Sequence, residues 1–319
     1  MKNFQLIGCE RIMLVDLFYR LRFSYDKPGK VYILNNKINT LLANAILPIL
    51  LNGKPIKKGI KVSDIVVSLT TYPPRIRQAA WCIDSLLRQT VSPGKNILWL
   101  AKSDYSSLDS VPSCIKKYMD DGLEIRFCDD IKSYKKIIYT AREFSDYRIV
   151  TADDDFFYPS TWLEELNDAQ KEVPNTIVCH RAHQIYEKDG RIEAYGKWNW
   201  YSNGIQGPSH SLHILTGAGT IFPPDFFQSD FFDLDTIMKY APTTDDMWVK
   251  VYALRHNVKV MKVKPVSKSL IEVGGSQRVS LISINQSDGN DYAFQKLLEV
   301  YGIDIHEILS SECNENTVI

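Results

Sequence analysis

In the first half of the chain, short apolar runs rich in β-branched residues alternate with segments of helical periodicity. The apolar runs predict four strands, over residues 64–70, 96–100, 123–127 and 147–152. Apolar residues recur with a helical period over 75–89 and 134–144, and a shorter helix is predicted over 115–119. Unbroken apolar runs are typical of strands that are covered on both faces. The alternation therefore predicts an α/β fold with a mostly parallel central sheet.

The pattern in the second half of the chain is less regular. A strand is predicted over 176–182 and a helix over 243–258, with a stretch rich in Trp, Tyr, Asn and Gly between them at 196–211.

A polar Gly/Pro/Lys connector over 52–59 separates residues 1–62 from the regular pattern. We predict an N-terminal extension over 1–62, the main α/β domain over 63–275, and a helical C-terminal tail over 276–319.

The most apolar segment of the chain is residues 41–51. It is shorter than the roughly 20 residues that a membrane-spanning helix needs. It predicts a buried helix, with contact at a membrane surface as the alternative. Charged residues interrupt the first 22 positions, which argues against a signal peptide. The expected location is cytoplasmic, with peripheral contact at the inner membrane face left open.

Charge and cysteine content exclude several classes of function. Lys+Arg and Asp+Glu both total 38, so no broad basic surface for nucleic acid is expected. The six cysteines are scattered without a CxxC pair, which argues against structural zinc and against a disulfide framework. Reduced thiols in a cytoplasmic protein are expected.

Three consecutive carboxylates, Asp153, Asp154 and Asp155, follow the fourth predicted strand directly. Adjacent like charges are costly, so a cation or a ring of donors is expected around them. Hard oxygen ligands suit Mg²⁺ or Mn²⁺. In an extended segment Asp153 and Asp155 would share a face and Asp154 would point elsewhere. The alternative is an acidic turn that caps the next helix.

Four segments in a fixed order resemble the GT-A glycosyltransferases, in particular bacterial family-2-type enzymes of capsule and O-antigen synthesis. They are VSLTTYPPR at 67–75, SLLRQT at 85–90, VTADDD at 150–155 and TDDMW at 244–248. The resemblance covers roughly residues 63–260. It implies a GT-A fold, a nucleotide-diphosphate sugar donor, usually a UDP-sugar, and Mn²⁺ or Mg²⁺.

The same resemblance implies roles for individual residues. Asp155 is the expected principal metal ligand, and Asp153 or Asp154 is expected to touch metal or ribose. The nucleotide is expected to contact the following residues of the first-strand loop and of the second predicted helix: Thr70, Thr71, Tyr72, Arg75 and Lys136.

The pair Asp245 and Asp246 matches the position of the catalytic base in inverting members. The acceptor hydroxyl must lose its proton to a nearby carboxylate during the transfer. Asp246 is the first choice for this base and Asp245 the second. The alternative is that Thr243, Thr244 or Asp245 simply caps the helix that follows.

Aromatic residues at Trp198, Trp200 and Tyr201 suit the apolar faces of sugars and are candidates for acceptor contacts. A local hydrophobic cluster is the equal alternative. His180 and His183 are expected to pack or to contact the acceptor. Gly217 and Gly219 would allow a close backbone approach to a substrate.

The predicted function is transfer of a sugar from a nucleotide donor to a glycan or lipid-linked glycan in cell-surface polysaccharide synthesis. A nucleotidyltransferase and a non-catalytic sugar-nucleotide-binding protein are the alternatives. A glycoside hydrolase also uses two carboxylates, but the position of the triplet after a parallel strand argues against it.

Overall fold

The structure is a computed structural model of the 319-residue chain. It describes residues 14–23, 29–202, 204–264, 269–275 and 289–315, and for 313–315 the backbone alone. Cys9, the Cys313 side chain and parts of both predicted terminal segments lie outside this range.

Ten α-helices form in the described part of the chain. They are α1 (Leu14–Arg20), α2 (Lys30–Leu51), α3 (Ile76–Leu87), α4 (Ser113–Lys116), α5 (Lys135–Glu143), α6 (Trp162–Glu172), α7 (Leu234–Tyr240), α8 (Asp245–Arg255), α9 (Asn290–Tyr301) and α10 (Ile305–Glu315).

Thirteen strands are found in the same residues. They are β1 (Ile60–Thr70), β2 (Val91–Ala101), β3 (Leu123–Cys128), β4 (Arg148–Thr151), β5 (Phe156–Phe157), β6 (Ile177–Cys179), β7 (Ala182–Gln184), β8 (Glu187–Lys188), β9 (Arg191–Ile192), β10 (Leu212–Ile214), β11 (Thr220–Phe222), β12 (Val260–Lys262) and β13 (Ile271–Glu272).

Seven of these strands form the central sheet, in the order β12-β6-β11-β4-β1-β2-β3. Strand β11 runs antiparallel to both of its neighbours, and the other pairings are parallel. The prediction of an α/β fold with a mostly parallel central sheet and flanking helices is confirmed.

Both faces of the sheet are covered, which explains the unbroken apolar runs. Ile65, Val67 and Leu69 of β1 pack in one core cluster with residues of α2, α3 and α6. Val66 points to the opposite face, in a cluster with Trp99. A strand buried on both sides cannot show the alternation of apolar and polar residues that a half-exposed strand shows.

The predicted elements of the first half are all present, with different ends. Strand β1 begins four residues before the predicted position, and β2 begins five residues before it. The extra part of β2 contains Pro93 and Gly94, which do not favour strands. There Ile60, Lys61 and Val62 of β1 pair with Val91, Ser92 and Pro93, so pairing with a neighbour outweighs local propensity.

Three segments meet at the carboxyl edge of the central strands. Strands β1 and β4 are parallel neighbours, and the Ala152 amide donates to the Ser68 carbonyl at 3.0 Å. Because β11 runs antiparallel to β4, the turn that precedes β11 returns to this same edge. The sheet therefore brings together the loop after β1, the aspartate triplet after β4 and the residues before Thr220.

The apolar segment 41–51 is helical, but the prediction that it is a buried helix is wrong for most of its surface. It forms the second half of α2, where Ala43, Leu47 and Leu51 are buried. Leu41 and Ile49 are 71% and 76% exposed. One helix face cannot bury all eleven side chains of an almost wholly apolar segment. Within the described residues, no helix is both long and apolar enough to cross a bilayer.

Helices α1 and α2 are bonded to the strands next to the triplet. The Tyr19 hydroxyl donates to the Phe157 carbonyl at 2.5 Å and accepts from the Ile271 amide at 3.0 Å. These two residues lie on β5 and β13, which pair with each other. The amide and hydroxyl of Ser160 both donate to Asp16. The N-terminal helices thus fix the strand that follows Asp155.

At the other end of the chain, α9 packs against α8 and α7. Phe294 and Leu297 of α9 are buried in the second core cluster, together with Trp248 of α8. The predicted boundary at 275/276 falls at the edge of the described residues and stays a prediction.

Replacement of Tyr19 by Phe tests the link between α1 and the β5–β13 pair. The substitution leaves a buried carbonyl and a buried amide without their hydroxyl partner, which should lower the free energy of unfolding by about 1–3 kcal/mol. Urea denaturation measures this change. Tyr186→Phe, at a 46% exposed position, is the control and should change stability little. Equal stability of both variants would contradict the link.

Candidate active site

The loop after β1 binds the middle aspartate of the triplet. Thr71 donates its hydroxyl to Asp154 at 2.5 Å, and Arg75 donates to the other oxygen of Asp154 at 2.8 Å. Arg75 also lies 3.4 Å from Asp155 and 5.8 Å from the Tyr72 ring centroid. Thr70 instead donates to the Trp99 carbonyl on the neighbouring strand. Of the predicted nucleotide contacts in this loop, Thr71, Tyr72 and Arg75 are brought to the triplet.

Lys136 joins the triplet to the second acidic pair. Its ammonium lies 2.6 Å from Asp153 and 3.3 Å from Asp245, and the residue is 3% exposed. Burial by itself would lower the pKa of Lys136, but Asp153, Asp245 and Asp246 together raise it above its ordinary value. The side chain is therefore a permanent cation between two groups of carboxylates.

The two carboxylates of the later pair have different surroundings. Asp245 has both oxygens engaged, one by the Ser133 hydroxyl at 2.8 Å and the other by Lys136 and Thr216. Asp246 accepts both the amide and the hydroxyl of Thr216 on one oxygen, Oδ1, at 2.9 and 2.6 Å. Among the described residues, its Oδ2 receives no hydrogen bond.

Helix capping does not account for this pair. Thr244 is the N-cap residue of α8, and its side chain makes no capping hydrogen bond. Asp245 and Asp246 lie in the first turn, where the helix dipole favours negative charge. Their oxygens are nevertheless engaged by side chains from other segments.

Burial raises the pKa values of Asp154, Asp155 and Asp246. Asp246 has a pKa of about 7 because burial and the neighbouring Asp245 outweigh Lys136 and Thr216. Asp155 has a pKa of about 8, through burial first and then through Asp153 and Asp154. Burial also raises the pKa of Asp154, against the opposing effect of Arg75.

The triplet departs from the extended geometry that its sequence suggests. Strand β4 ends at Thr151, and Asp154 and Asp155 lie in a bend. Asp153 turns to Lys136, whereas both Asp154 and Asp155 face Arg75. The expected alternation, with Asp154 pointing away from its two neighbours, is therefore wrong, because the chain has already left the strand.

At Gly217 and Gly219, the space that a side chain would need is occupied by other residues of this protein. A β-carbon at Gly217 would lie 1.7 Å from the Asp153 carboxylate, and one at Gly219 would lie 2.2 Å from the Trp162 ring. The Gly217 carbonyl also accepts the Tyr158 hydroxyl at 2.6 Å. In this structure the close approach that these glycines allow is filled by Asp153 and Trp162.

No protein-family model and no curated protein matches this chain. Among solved structures, the chain is similar to S. aureus TarS 1-349, with 10% identity and a TM-score of 0.42 over 65% of this chain and 59% of that one. It is also similar to the mannosyltransferase PcManGT from Pyrobaculum calidifontis in complex with GDP-Man and Mn²⁺. That similarity has 12% identity and a TM-score of 0.47, over 83% of this chain and 75% of that one.

This chain thus spans 59% of the length of the TarS structure. Similarity at these levels does not identify a reaction, so function is inferred below from the side chains of this chain.

The three aromatic residues predicted to contact an acceptor differ in exposure. Trp198 is 3% exposed and packs on Phe294, so it belongs to the core. Trp200 and Tyr201 are half-buried. Tyr201 has a φ of 64°, an uncommon backbone conformation for a non-glycine residue, and Lys262 donates to its carbonyl at 3.0 Å.

The histidines and cysteines are used for packing. His180 bonds the Trp162 carbonyl at 2.8 Å and stacks on the Trp162 ring. His183 accepts the Tyr201 amide at 3.0 Å and stacks on Trp200. Cys82, Cys128 and Cys179 are buried free thiols, and Cys114 is a partly exposed one.

Carboxylate oxygens such as those of the triplet are ligands of the kind that Mg²⁺ and Mn²⁺ prefer. No cluster of three or more His, Cys, Asp or Glu side chains poised to hold a metal occurs among the described residues. A cation bound through one or two carboxylates, with water and substrate phosphates as its other ligands, needs no such cluster. Burial first, and then the charges of Asp153 and Asp154, raise the pKa of Asp155, and a bound cation would lower it again. Asp155 and Asp153 are the candidate ligands.

Sequence reasoning missed Thr216, which binds both members of the acidic pair. It also missed the Ser133 hydroxyl on Asp245 and the Tyr158 hydroxyl, which accepts the Asp153 amide at 2.8 Å. Nothing in the local sequence signals these contacts. Thr216 is 30 residues from Asp246 along the chain, and only the return of β11 to the strand edge brings it there.

The pKa of Asp155 predicts how stability depends on pH and on Mn²⁺. The native carboxyl titrates at about 8 and an unfolded one at about 4, so the metal-free native state holds an additional proton between these values. This group therefore loses stabilising effect as the pH rises through that range. A cation must displace that proton, so the Mn²⁺-induced rise in melting temperature should be larger near about pH 8.5 than near about pH 6.5.

Thermal melting with and without Mn²⁺ measures this effect. It compares the wild type with Asp155→Asn and with Asp225→Asn, the control at an exposed site. We expect Asp155→Asn to lose the Mn²⁺ shift and Asp225→Asn to keep it. An unchanged shift in Asp155→Asn would remove this residue from the metal site.

Proposed function

We propose that this protein is an inverting, metal-dependent glycosyltransferase that moves a sugar from a nucleotide-diphosphate donor to a hydroxyl acceptor. One observation carries the proposal: Lys136 holds the strand-end triplet and the Asp245–Asp246 pair in a single site. One half has the carboxylates for a cation, and the other has a carboxylate with one unengaged oxygen. Sugar transfer needs both a stabilised leaving diphosphate and a base for the acceptor.

The donor half comprises the loop after β1 and the triplet. In open α/β sheets, ligands bind beyond the carboxyl ends of the strands, where these residues lie. A bound cation would neutralise charge on the departing diphosphate. Thr71 and Arg75 fix Asp154, and Arg75 also lies 3.4 Å from the neighbouring Asp155.

The base in this proposal is Asp246 rather than Asp245. Both oxygens of Asp245 are engaged, by Ser133 on one side and by Lys136 and Thr216 on the other. Asp246 accepts both Thr216 hydrogen bonds on Oδ1, so its Oδ2 is available to accept a proton. A pKa of about 7 allows the carboxylate to take that proton near neutral pH.

The reaction is then a single displacement. The acceptor oxygen bonds C1 of the donor sugar as its proton passes to Asp246 Oδ2. The bond from C1 to the phosphate oxygen breaks, and its electron pair leaves with the nucleoside diphosphate. The anomeric configuration is inverted because attack and departure occur on opposite sides of C1. Trp200 and Tyr201, the half-buried members of the aromatic segment, are the proposed acceptor contacts.

A UDP-sugar donor and a glycan or lipid-linked acceptor of a cell-surface polysaccharide are the proposed substrates. A screen of nucleotide sugars for Mn²⁺-dependent donor hydrolysis and transfer tests the class. Retention of anomeric configuration would refute inversion. Binding of nucleotide sugars without turnover would favour a non-catalytic binding protein, and release of pyrophosphate from a nucleoside triphosphate would favour a nucleotidyltransferase.

Asp246→Asn tests the base directly. The amide has nearly the same shape but cannot take the acceptor proton, so kcat should fall about a hundred- to ten-thousand-fold while donor KM changes little. Steady-state kinetics measure both constants. Asp225→Asn, which removes an exposed carboxylate elsewhere, should keep wild-type kcat. Wild-type turnover in Asp246→Asn would exclude this residue as the base.

The pH profile tests the role of Thr216 as a positioning residue. Activity should rise with pH through about 7, as Asp246 loses its proton. The Thr216 hydrogen bonds favour the charged carboxylate, so Thr216→Val should move this limb of kcat/KM to higher pH. Thr216→Ser keeps the hydroxyl and should restore the wild-type limb. A loss of activity in Thr216→Val without any movement of the limb would indicate a purely structural role.

A further inference from the structure

On helix α2 the buried side carries polar residues and the exposed side is apolar, which is the reverse of an ordinary surface helix. The side that faces the protein carries Asn36 and Asn39, together with Ala43 and Leu47. The side that faces outward carries large apolar residues, exposed by the following fractions: Val31 73%, Leu34 60%, Ile38 48%, Leu41 71% and Ile49 76%. These positions recur at helical spacing, so they form one stripe. Its 22 residues give a helix about 33 Å long.

Polar anchors fix this orientation. Arg22 donates to the side chains of Asn39 and Ser269 at 3.0 and 2.7 Å, and Asn36 donates to Ser269 at 3.1 Å. Farther along the helix, Asn44 donates to the Glu272 carbonyl and accepts the Gly274 amide. Rotating the helix to bury the stripe would break these hydrogen bonds. The apolar face is thus held outward by the fold.

Apolar exposure is concentrated in this part of the molecule. Of the nineteen large apolar side chains exposed among the described residues, twelve lie in α1, the turn after it and α2. Scattered apolar residues are normal on a protein surface, whereas a contiguous patch indicates a contact surface.

The charge of the same segment indicates the partner. Residues 29–63 contain six lysines and no Asp or Glu, although the whole chain has a formal net charge of zero. The lysines are Lys30, Lys37, Lys54, Lys57, Lys58 and Lys61, all exposed. None of the six forms an ion pair with another described residue. An apolar stripe flanked by unpaired cations is the pattern of a helix that lies on an anionic bilayer.

We propose that α2 docks this protein on an anionic lipid bilayer, with the helix lying in the interface and its apolar stripe in the acyl boundary. A second copy of the chain suits this face less well, since a two-fold contact would bring the same lysines together. Tyr19 and Asn44 then bond the docked helices to β5 and β13, beside the aspartate triplet.

Vesicle co-sedimentation of the full chain tests the proposal without any substrate. We expect binding to vesicles that mix phosphatidylcholine with phosphatidylglycerol, and weaker binding to phosphatidylcholine alone or at high salt. The double variant Leu41→Glu/Ile49→Glu should bind the mixed vesicles at least about tenfold more weakly. Both positions are more than two-thirds exposed, so the core should be unaffected.

Val300→Glu is the matched control, because it places the same charge at a 45% exposed apolar site on α9. It should bind mixed vesicles like the wild type. A second variant, Lys54→Ser/Lys57→Ser/Lys58→Ser, should lose the preference for phosphatidylglycerol while it keeps the apolar stripe. Thermal melting verifies that each variant folds.

Three results would overturn the proposal. They are the absence of wild-type binding to the mixed vesicles, wild-type binding by the Leu41→Glu/Ile49→Glu variant, and a lipid-free dimer that this variant dissociates in sedimentation velocity. The last result would assign the face to a second copy of the chain.

Discussion

The buried ammonium of Lys136 is the interaction on which the arrangement of the site depends. A lysine removed from water in this way needs carboxylate partners, and Asp153 and Asp245 supply them from two segments about ninety residues apart. The cation offsets the repulsion between the two acidic segments. One side chain on α5 therefore bridges the end of β4 and the start of α8.

The raised pKa values of Asp155 and Asp246 then follow from burial and from how each carboxylate is paired. Asp154 and Asp245 have both oxygens engaged, by Thr71 and Arg75 in one case and by Ser133, Lys136 and Thr216 in the other. Asp155 and Asp246 are less fully compensated, and their pKa values rise to about 8 and about 7. In each acidic segment, the residue with two engaged oxygens thus has a neighbour with a raised pKa, and in the proposed mechanism these neighbours are the cation ligand and the base.

The N-terminal helices bring a second constraint to the same region. Tyr19 and Asp16 bond α1 to β5 and to Ser160 after it, and Asn44 bonds α2 to β13. Asn36, Asn39 and Asn44 make the polar contacts on the inward side of α2, so its apolar stripe stays exposed. The hydrogen bonds of the two helices thus fix both the strands beside the triplet and the outward direction of the stripe.

The sequence by itself determined the fold class, the succession of the first four strands and the positions of the aspartate triplet after β4 and of the acidic pair before a helix, because apolar periodicity and adjacent charges are local properties. It also singled out Thr71, Arg75, Lys136 and Asp246. Only the tertiary structure decided how these residues pair. The end of β4 at Thr151 turned the triplet out of strand geometry, and the antiparallel return of β11 brought Thr216 to Asp246. Which face of α2 is buried was likewise decided by Arg22, Ser269 and the β13 backbone, since an apolar run cannot specify which of its sides the rest of the chain will cover.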